Sequence, residues 1–280
     1  MASRTRQKEE ARARRIAEEQ ARAEQDRRRR RLQTLGGVVL IAVAIIAVAI
    51  AVSSGGGSAP KIPTTKKQIG KTVGPINALL AGIPQSGNTL GNPKAKVTVT
   101  EFGDLECSAC DQFALPTNKT TSGGVPGSGI ENQLIQNDVR SGKIKLVYRS
   151  LDTATGNGVT PAMFGPQQAA AEAAGLQDKE WYYVELFYNE QGAEGTNYVN
   201  QTYLDKLAQQ IPGLNFSKWL ADSKSPTLLS QVEHDNLTAA AKGFNTTPTL
   251  MITGPKGEAP AISGVPTSYS VVESKINSVL

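Results

Sequence analysis

Two cysteines and one histidine are all that 280 residues supply of the softer metal-binding and nucleophilic side chains. A structural zinc site needs four ligands, so two Cys and the distant His234 exclude one. A serine triad would have to rest on His234, and the chain carries no nucleophile elbow. No glycine-rich phosphate loop and no internal repeat is present. The N-terminal arm lacks heptads, which removes a coiled-coil route to a dimer. These absences leave no metal and no bound cofactor implied. They also place whatever chemistry the chain has on very few residues.

Basic charge is scarce outside one short region. Residues 1–34 carry twelve Lys and Arg against six Asp and Glu, a net of +6, and the remainder is −1. The basic balance therefore belongs to the arm, and no nucleic-acid partner is implied for the rest. The arm is rich in Ala, Glu, Gln and Arg, which favour helix. It reads as a solvated arm near anionic lipid, with partner binding as the alternative.

Leu35–Val52 is an unbroken run of 18 apolar or Gly residues, with Arg27–Arg31 just before it. At 1.5 Å per helical residue, such a run just spans a bilayer core of about 30 Å. The positive-inside rule keeps the arm cytoplasmic and sends everything after Val52 outside. The competing reading is a cleaved signal peptide, for which Ala49-Ile50-Ala51 supplies a small-x-small pattern. The apolar run exceeds the usual signal length, which favours a retained single-pass anchor in the cell membrane. Either way the remainder lies in a compartment that permits disulfides.

The chain divides into a basic arm (1–34), a transmembrane helix (35–52), a flexible linker (53–82) and a folded domain (83–280). Within the linker, Ser53-Ser54-Gly55-Gly56-Gly57-Ser58-Ala59-Pro60 is its clearest part. In the folded part, Val97–Phe102, Ile144–Arg149 and Thr249–Ile252 read as strands. Helices are expected after Cys107 and over Ile130–Val139, Tyr203–Ile211, Phe216–Ala221, Thr227–Ala241 and Tyr269–Leu280. Another is expected to start at Pro166 and end at Gly175. Trp181–Phe187 places four aromatics on one helical stretch, which reads as core. The order describes an α/β domain with a helical insertion at about 161–240.

The two cysteines form one motif, Cys107-Ser108-Ala109-Cys110, directly after the first strand. A pair at this spacing on a strand-to-helix junction can cycle between dithiol and disulfide. Cys107 would stand at the helix N-terminus, where unpaired N–H groups and the dipole favour the attacking thiolate. Cys110, one turn on, is close enough to resolve a mixed disulfide. Asp104 and Glu106 are expected at the surface, where their charge would oppose the thiolate.

Gly91–Cys110 and Gly243-Phe244-Asn245-Thr246-Thr247-Pro248-Thr249-Leu250, with a helical block between them, resemble the DsbA-like branch of the thioredoxin superfamily. The resemblance covers about residues 85–280. It implies a thioredoxin-like fold with an inserted helical domain and protein thiol–disulfide oxidoreductase activity. Cys107 then corresponds to the nucleophile and Cys110 to the resolving cysteine. Pro248 corresponds to the cis-proline beside the disulfide, which exposes the Thr247 backbone to an extended substrate. An ordinary trans Pro opening a strand is the alternative. Glu101, six residues before Cys107, matches a buried acid that relays the proton of Cys110. Strand alternation alone would also allow it to face solvent.

The implied partners are secreted or envelope proteins with cysteines, oxidised by the Cys107–Cys110 disulfide, and a quinone-linked membrane protein that reoxidises the pair. A reductase or isomerase on the same fold is one alternative, and a binding module with a structural disulfide is another. Strongly oxidising members often carry a charged His between the cysteines. Ser108-Ala109 has no such charge, so a milder oxidant is expected. His234 reads as an ordinary helix residue. Asn118, Asn200, Asn215, Asn236 and Asn245 satisfy the glycosylation pattern. A glycan at Asn245 would crowd Pro248, so they read as incidental, which points to a bacterial envelope protein.

Overall fold

A computed structural model describes residues 66–280. The arm, the apolar run 35–52 and the first part of the linker lie outside the described residues. Among the described residues, no helix is long and apolar enough to cross a membrane.

The elements in chain order are α1 (Lys66–Leu80), β1 (Gln85–Ser86), β2 (Thr89–Gly91), β3 (Val97–Gly103), α2 (Ser108–Ala114), α3 (Ile130–Gln133) and β4 (Ile144–Ser150). They continue with α4 (Pro161–Gly175), α5 (Glu180–Asn189), α6 (Gln201–Gln210), α7 (Phe216–Asp222) and α8 (Pro226–Ala241). Strands β5 (Thr249–Gly254), β6 (Gly257–Glu258) and β7 (Ile262–Ser263) and helix α9 (Tyr269–Val279) close the fold. The expected helix Ile130–Val139 is α-helical only over α3 and continues as a π-helical segment, Leu134–Val139.

The sheet runs β1-β2-β4-β3-β5-β6, with β7 also on β5. Only β3 and β4 are parallel; the other pairings are antiparallel. Strand β3 sits at the centre, covered on both faces. Val97, Val99 and Glu101 alternate onto the face of the main core, and Phe102 onto the other, against Leu151 and Phe244. The register places Glu101 opposite Tyr148 on β4 and Leu250 on β5. A carboxyl thus points into the largest apolar cluster of the molecule.

The insertion α4–α8 is held by aromatics. Every residue of α5 from Glu180 to Tyr188 is buried, as expected of a helix packed on all sides. Trp219 stacks on Tyr183 at 6.0 Å and on Phe216 at 5.6 Å, and its indole N–H donates to the Ala170 carbonyl at 2.8 Å. Trp181 likewise donates to the Asn88 carbonyl at 2.9 Å, joining α5 to the β1–β2 turn. Arg149 on β4 pairs with buried Asp235 on α8 at 2.6 Å.

Two expectations need correction. Residues 66–80, read as linker, form α1, whose Val73, Ile76 and Leu80 are buried. They recur at helical spacing, and Gly70, Gly74 and Pro75 dilute the signal in the sequence. Arg140 closes this helix by donating to the Leu79 and Ala81 carbonyls, each at 2.8 Å. Helix α4 starts at Pro161 rather than Pro166. Thr160 is its N-cap and Pro161 takes the first helical position, where no N–H is needed.

Trp219→Ala is expected to lower stability by about 3–5 kcal/mol, the range for emptying a buried aromatic site. Urea unfolding of the variant beside the parent measures it.

Candidate active site

The chain leaves the sheet at Gly103 and turns under itself before α2 begins. Asp104 makes that turn. Its carboxylate accepts from the backbone N–H of Glu106 at 3.1 Å, of Thr153 at 2.9 Å and of Ala154 at 2.8 Å. One side chain therefore ties the loop before the cysteines to the loop after β4. The sequence expectation of a surface position fails for both acids of this turn: Asp104 and Glu106 are 0% exposed. Burial lifts Asp104 to about 6, against its three backbone donors. Burial and then Asp104 lift Glu106 to about 8, so Glu106 is largely neutral at pH 7 and does not oppose a thiolate.

Cys107 is the N-cap of α2, and its carbonyl accepts from the N–H of Cys110 at 3.1 Å and of Asp111 at 3.3 Å. The two thiols are unlinked. Cys107 keeps 6% of its surface and Cys110 none. The Cys107 thiol lies against the cis peptide Thr247–Pro248, donating to the Thr247 carbonyl at 3.7 Å. Thr247 is fixed in turn by a hydroxyl–hydroxyl bond to Thr153. The structure thus brings Cys107, Cys110, Thr247 and Pro248 together at one end of the sheet.

The two sulfurs differ in acidity. Hydrogen bonding from Cys110 pulls Cys107 down from 9.0 to about 7, against the cost of burial; Thr247 and the N–H groups of Cys110 and Ala109 add to it. Burial, reinforced by Cys107, pushes Cys110 well above 9.0. The first thiol is therefore half ionised near neutral pH and the second holds its proton.

Glu101 lies beneath the pair, 1% exposed, with neither carboxyl oxygen in a hydrogen bond. Burial, then Glu185, then Cys107 raise it to about 8. Its neighbours are also acids. Burial and the charges of Glu101 and Glu185 hold Glu131 on α3 far above the carboxylate range. Burial raises Glu185 on α5 to about 8, and Lys119 partly offsets that. Lys119 donates to Asn189 and shares with Glu185 the wall of a groove of about 380 Å³ between α1 and α5. His234 is exposed on α8 and takes no part in the site.

The loop after α5 holds functional contacts that the sequence did not signal. Gln191 donates to the carbonyls of Leu105 at 2.6 Å and Cys107 at 3.2 Å. Glu194 accepts from the Ser108 N–H at 2.9 Å and its hydroxyl at 2.7 Å. Both lie in an irregular stretch with no motif, more than eighty residues from the turn Leu105–Ser108 that they touch. No periodicity or spacing could have found them.

The buried acids predict a pH dependence of stability. Glu101, Glu106 and Glu185 ionise near 4.5 when unfolded and near 8 when folded. Between those values the folded state holds more protons, so stability is full below pH 4.5 and is lost as pH rises toward 8. Thermal unfolding at pH 5 and pH 8 should show the higher midpoint at pH 5. Glu101→Gln should flatten that slope, by at most about 1.4 kcal/mol per pH unit.

The comparisons with known proteins agree with this geometry. A thioredoxin family model matches residues 85–263, which include both cysteines, the insertion and Pro248. Oxidised BdbD from Bacillus subtilis is similar in structure, with a TM-score of 0.54 at 21% identity, covering 70% of this chain and 95% of that one. Wolbachia pipientis alpha-DsbA1 is similar with a TM-score of 0.52 at 15% identity, covering 71% and 92%. A stretch of 172 residues is 26% identical to the Na(+)/H(+) antiporter NhaA of Herminiimonas arsenicoxydans, covering 61% of this chain and 23% of that protein. The chain thus spans under a quarter of that relative's length. The family match covers more than half of the residues, so this chain belongs to the thioredoxin family and shares its fold with DsbA-type proteins.

Proposed function

We propose that this chain is a membrane-anchored, extracytoplasmic thiol–disulfide oxidoreductase that oxidises cysteines of secreted and envelope proteins. The observation that carries the reading is the unequal solvation of two cysteines on one helical turn. Cys107 stands at the lip with its thiol drawn to about 7, and Cys110 is sealed beneath it. A structural disulfide has no use for this asymmetry, and so short a ring removes little unfolded-chain entropy. The anchor and the compartment rest on the apolar run 35–52 and the basic residues before it.

The reaction starts from the Cys107–Cys110 disulfide. A substrate thiolate attacks the Cys107 sulfur, which forms a mixed disulfide and breaks the bond to Cys110. The expelled Cys110 sulfur is the stronger base and takes the proton of Glu101 beneath it. The extended substrate pairs with the Thr247 backbone beside Pro248. A second substrate thiolate then attacks the substrate sulfur of the mixed disulfide and expels Cys107 as thiolate. The substrate leaves with a disulfide, and two electrons remain on the pair. A quinone-linked membrane partner accepts those electrons and restores the disulfide.

The redox equilibrium of the full chain against glutathione buffers tests the direction. A Cys107 thiol near 7 matches thioredoxin rather than the far more acidic thiol of DsbA, so a mild oxidant is expected. The expected potential lies between about −200 and −130 mV. A value near or below about −270 mV would point to a reductase, and one below about −300 mV to a structural disulfide. Cys110→Ser should trap mixed disulfides when its Cys107 thiolate attacks a disulfide-bonded substrate and expels one substrate thiolate, and Cys107→Ser should trap none. Glu101→Gln should slow dithiol oxidation on the order of 10²-fold, the low end for a positioned acid or base.

A further inference from the structure

The charged or titratable groups around Cys107 come from four elements. Glu101 on β3 and Cys110 on α2 lie beneath it, Asp104 and Glu106 precede it, and Asp111 follows on α2. The loop after α5 adds Glu194. The first five are buried inside the domain. Glu194 is only half-buried, and it touches the dipeptide between the cysteines.

Its contacts are specific. One carboxylate oxygen accepts both the backbone N–H and the hydroxyl of Ser108, at 2.9 and 2.7 Å. The other accepts from the Asn157 amide at 2.6 Å, on the loop after β4. Among the described residues, no ion pair neutralises Glu194. Ser108 is the first residue of α2, and the N–H groups of Ala109 and Cys110 are those turned to the Cys107 sulfur. The first turn of α2 therefore faces two anions through different N–H groups: Ser108 meets the Glu194 carboxylate, and Ala109 and Cys110 face the Cys107 sulfur.

We infer that Glu194 is a positioning residue of the insertion that sets the redox balance of Cys107–Cys110 by holding a like charge on Ser108, next to the Cys107 thiolate. The inference rests on the oxidoreductase reading above. In the disulfide form Cys107 carries no charge, and Glu194 has the helix start to itself. Reduction adds two electrons and leaves Cys107 as a thiolate beside the carboxylate. Repulsion then weakens the reduced form and not the oxidised one. Glu194 thus makes the protein a milder oxidant than the same motif without it. The opposing charge expected of Glu106, which is largely neutral at pH 7, comes instead from a residue in another part of the chain.

Glu194→Gln keeps an oxygen for Ser108 and removes the charge, and the Asn157 amide can turn to face the new NH₂. For a unit charge one residue away in a partly solvated setting, the expected effect is about three- to tenfold. The glutathione equilibrium of the full-length Glu194→Gln protein should move by that factor toward the dithiol. Tenfold corresponds to about 30 mV for this two-electron couple. The thiolate-to-thiol ratio of Cys107 at pH 6, read from thiolate absorbance near 240 nm, should rise by the same factor. Glu194→Asp should retain the parent values, and Glu233→Gln, an exposed charge on α8, should change neither.

A shift in Glu194→Ala with none in Glu194→Gln would overturn the inference, because bonding rather than charge would then matter. No shift in either variant, or a fall in thiolate, would overturn it too. Should the variants misfold, the parent is read across ionic strength. Screening should raise its thiolate fraction, and a flat response would count against the charge. A parent that fails to exchange with glutathione at all would sink the oxidoreductase reading itself. A parent that exchanges normally, with unresponsive variants, would sink only the role of Glu194.

Discussion

The unequal wetting of two sulfurs governs the rest of the structure. Cys110 is sealed by the main core, and burial, reinforced by Cys107, keeps its proton on. Cys107 is one turn away and meets the N–H groups at the helix start and the Thr247 carbonyl. Burial of the second sulfur requires a covered strand below it and a helix bundle above. The sheet centre at β3 supplies the first, and the aromatic insertion supplies the second. The hydrogen bonds of Asp104 then hold the two loops at the lip so that Cys107 faces Pro248 rather than open water.

Burial that protects Cys110 also traps acids. Glu101, Glu131 and Glu185 are three carboxyls in an apolar core; Glu185 makes Glu101 harder to ionise, and both do so for Glu131. A single buried carboxylate would cost several kcal/mol unpaired, so the group stays protonated well above the usual range. In the proposed reaction such a group serves as a proton store beside a sulfur that gains and loses one. Lys119 and Asn189, which line the same groove as buried Glu185, are the polar end of that store. The cost in stability at high pH and the proton supply for Cys110 have the same origin.

Most of the framework was legible because it follows period and punctuation. The three central strands, the helices of the insertion and the terminal helix all carry clean apolar patterns. The aromatics of Trp181–Phe187 were readable as core for the same reason. The cysteine pair was legible through its local motif, and Pro248 and Glu101 only through the resemblance to the DsbA-like branch. What was missed depends on chain segments distant in sequence. Helix α1 carries its apolar stripe among glycines and a proline, and gains its stability from α5 and Arg140. Asp104 and Glu106 look like surface acids until the loop after β4 closes over them. Gln191 and Glu194 belong to a loop whose meaning appears only when it meets the active helix.

The insertion therefore does more than cover a thioredoxin core. It contributes the hydrophobic seal through α5, a buried acid through Glu185, and direct contact with the reactive turn through Gln191 and Glu194. The two residues between the cysteines are commonly taken to set the chemistry of such a pair, and here they are uncharged. Ser108 nonetheless presents an N–H and a hydroxyl, and the insertion answers with a carboxylate. On the inference drawn above, electrostatic control of the thiolate is thereby moved out of the motif and into a loop of the insertion. A core that must stay constant to bury one sulfur can then be combined with a potential that is adjusted from outside it.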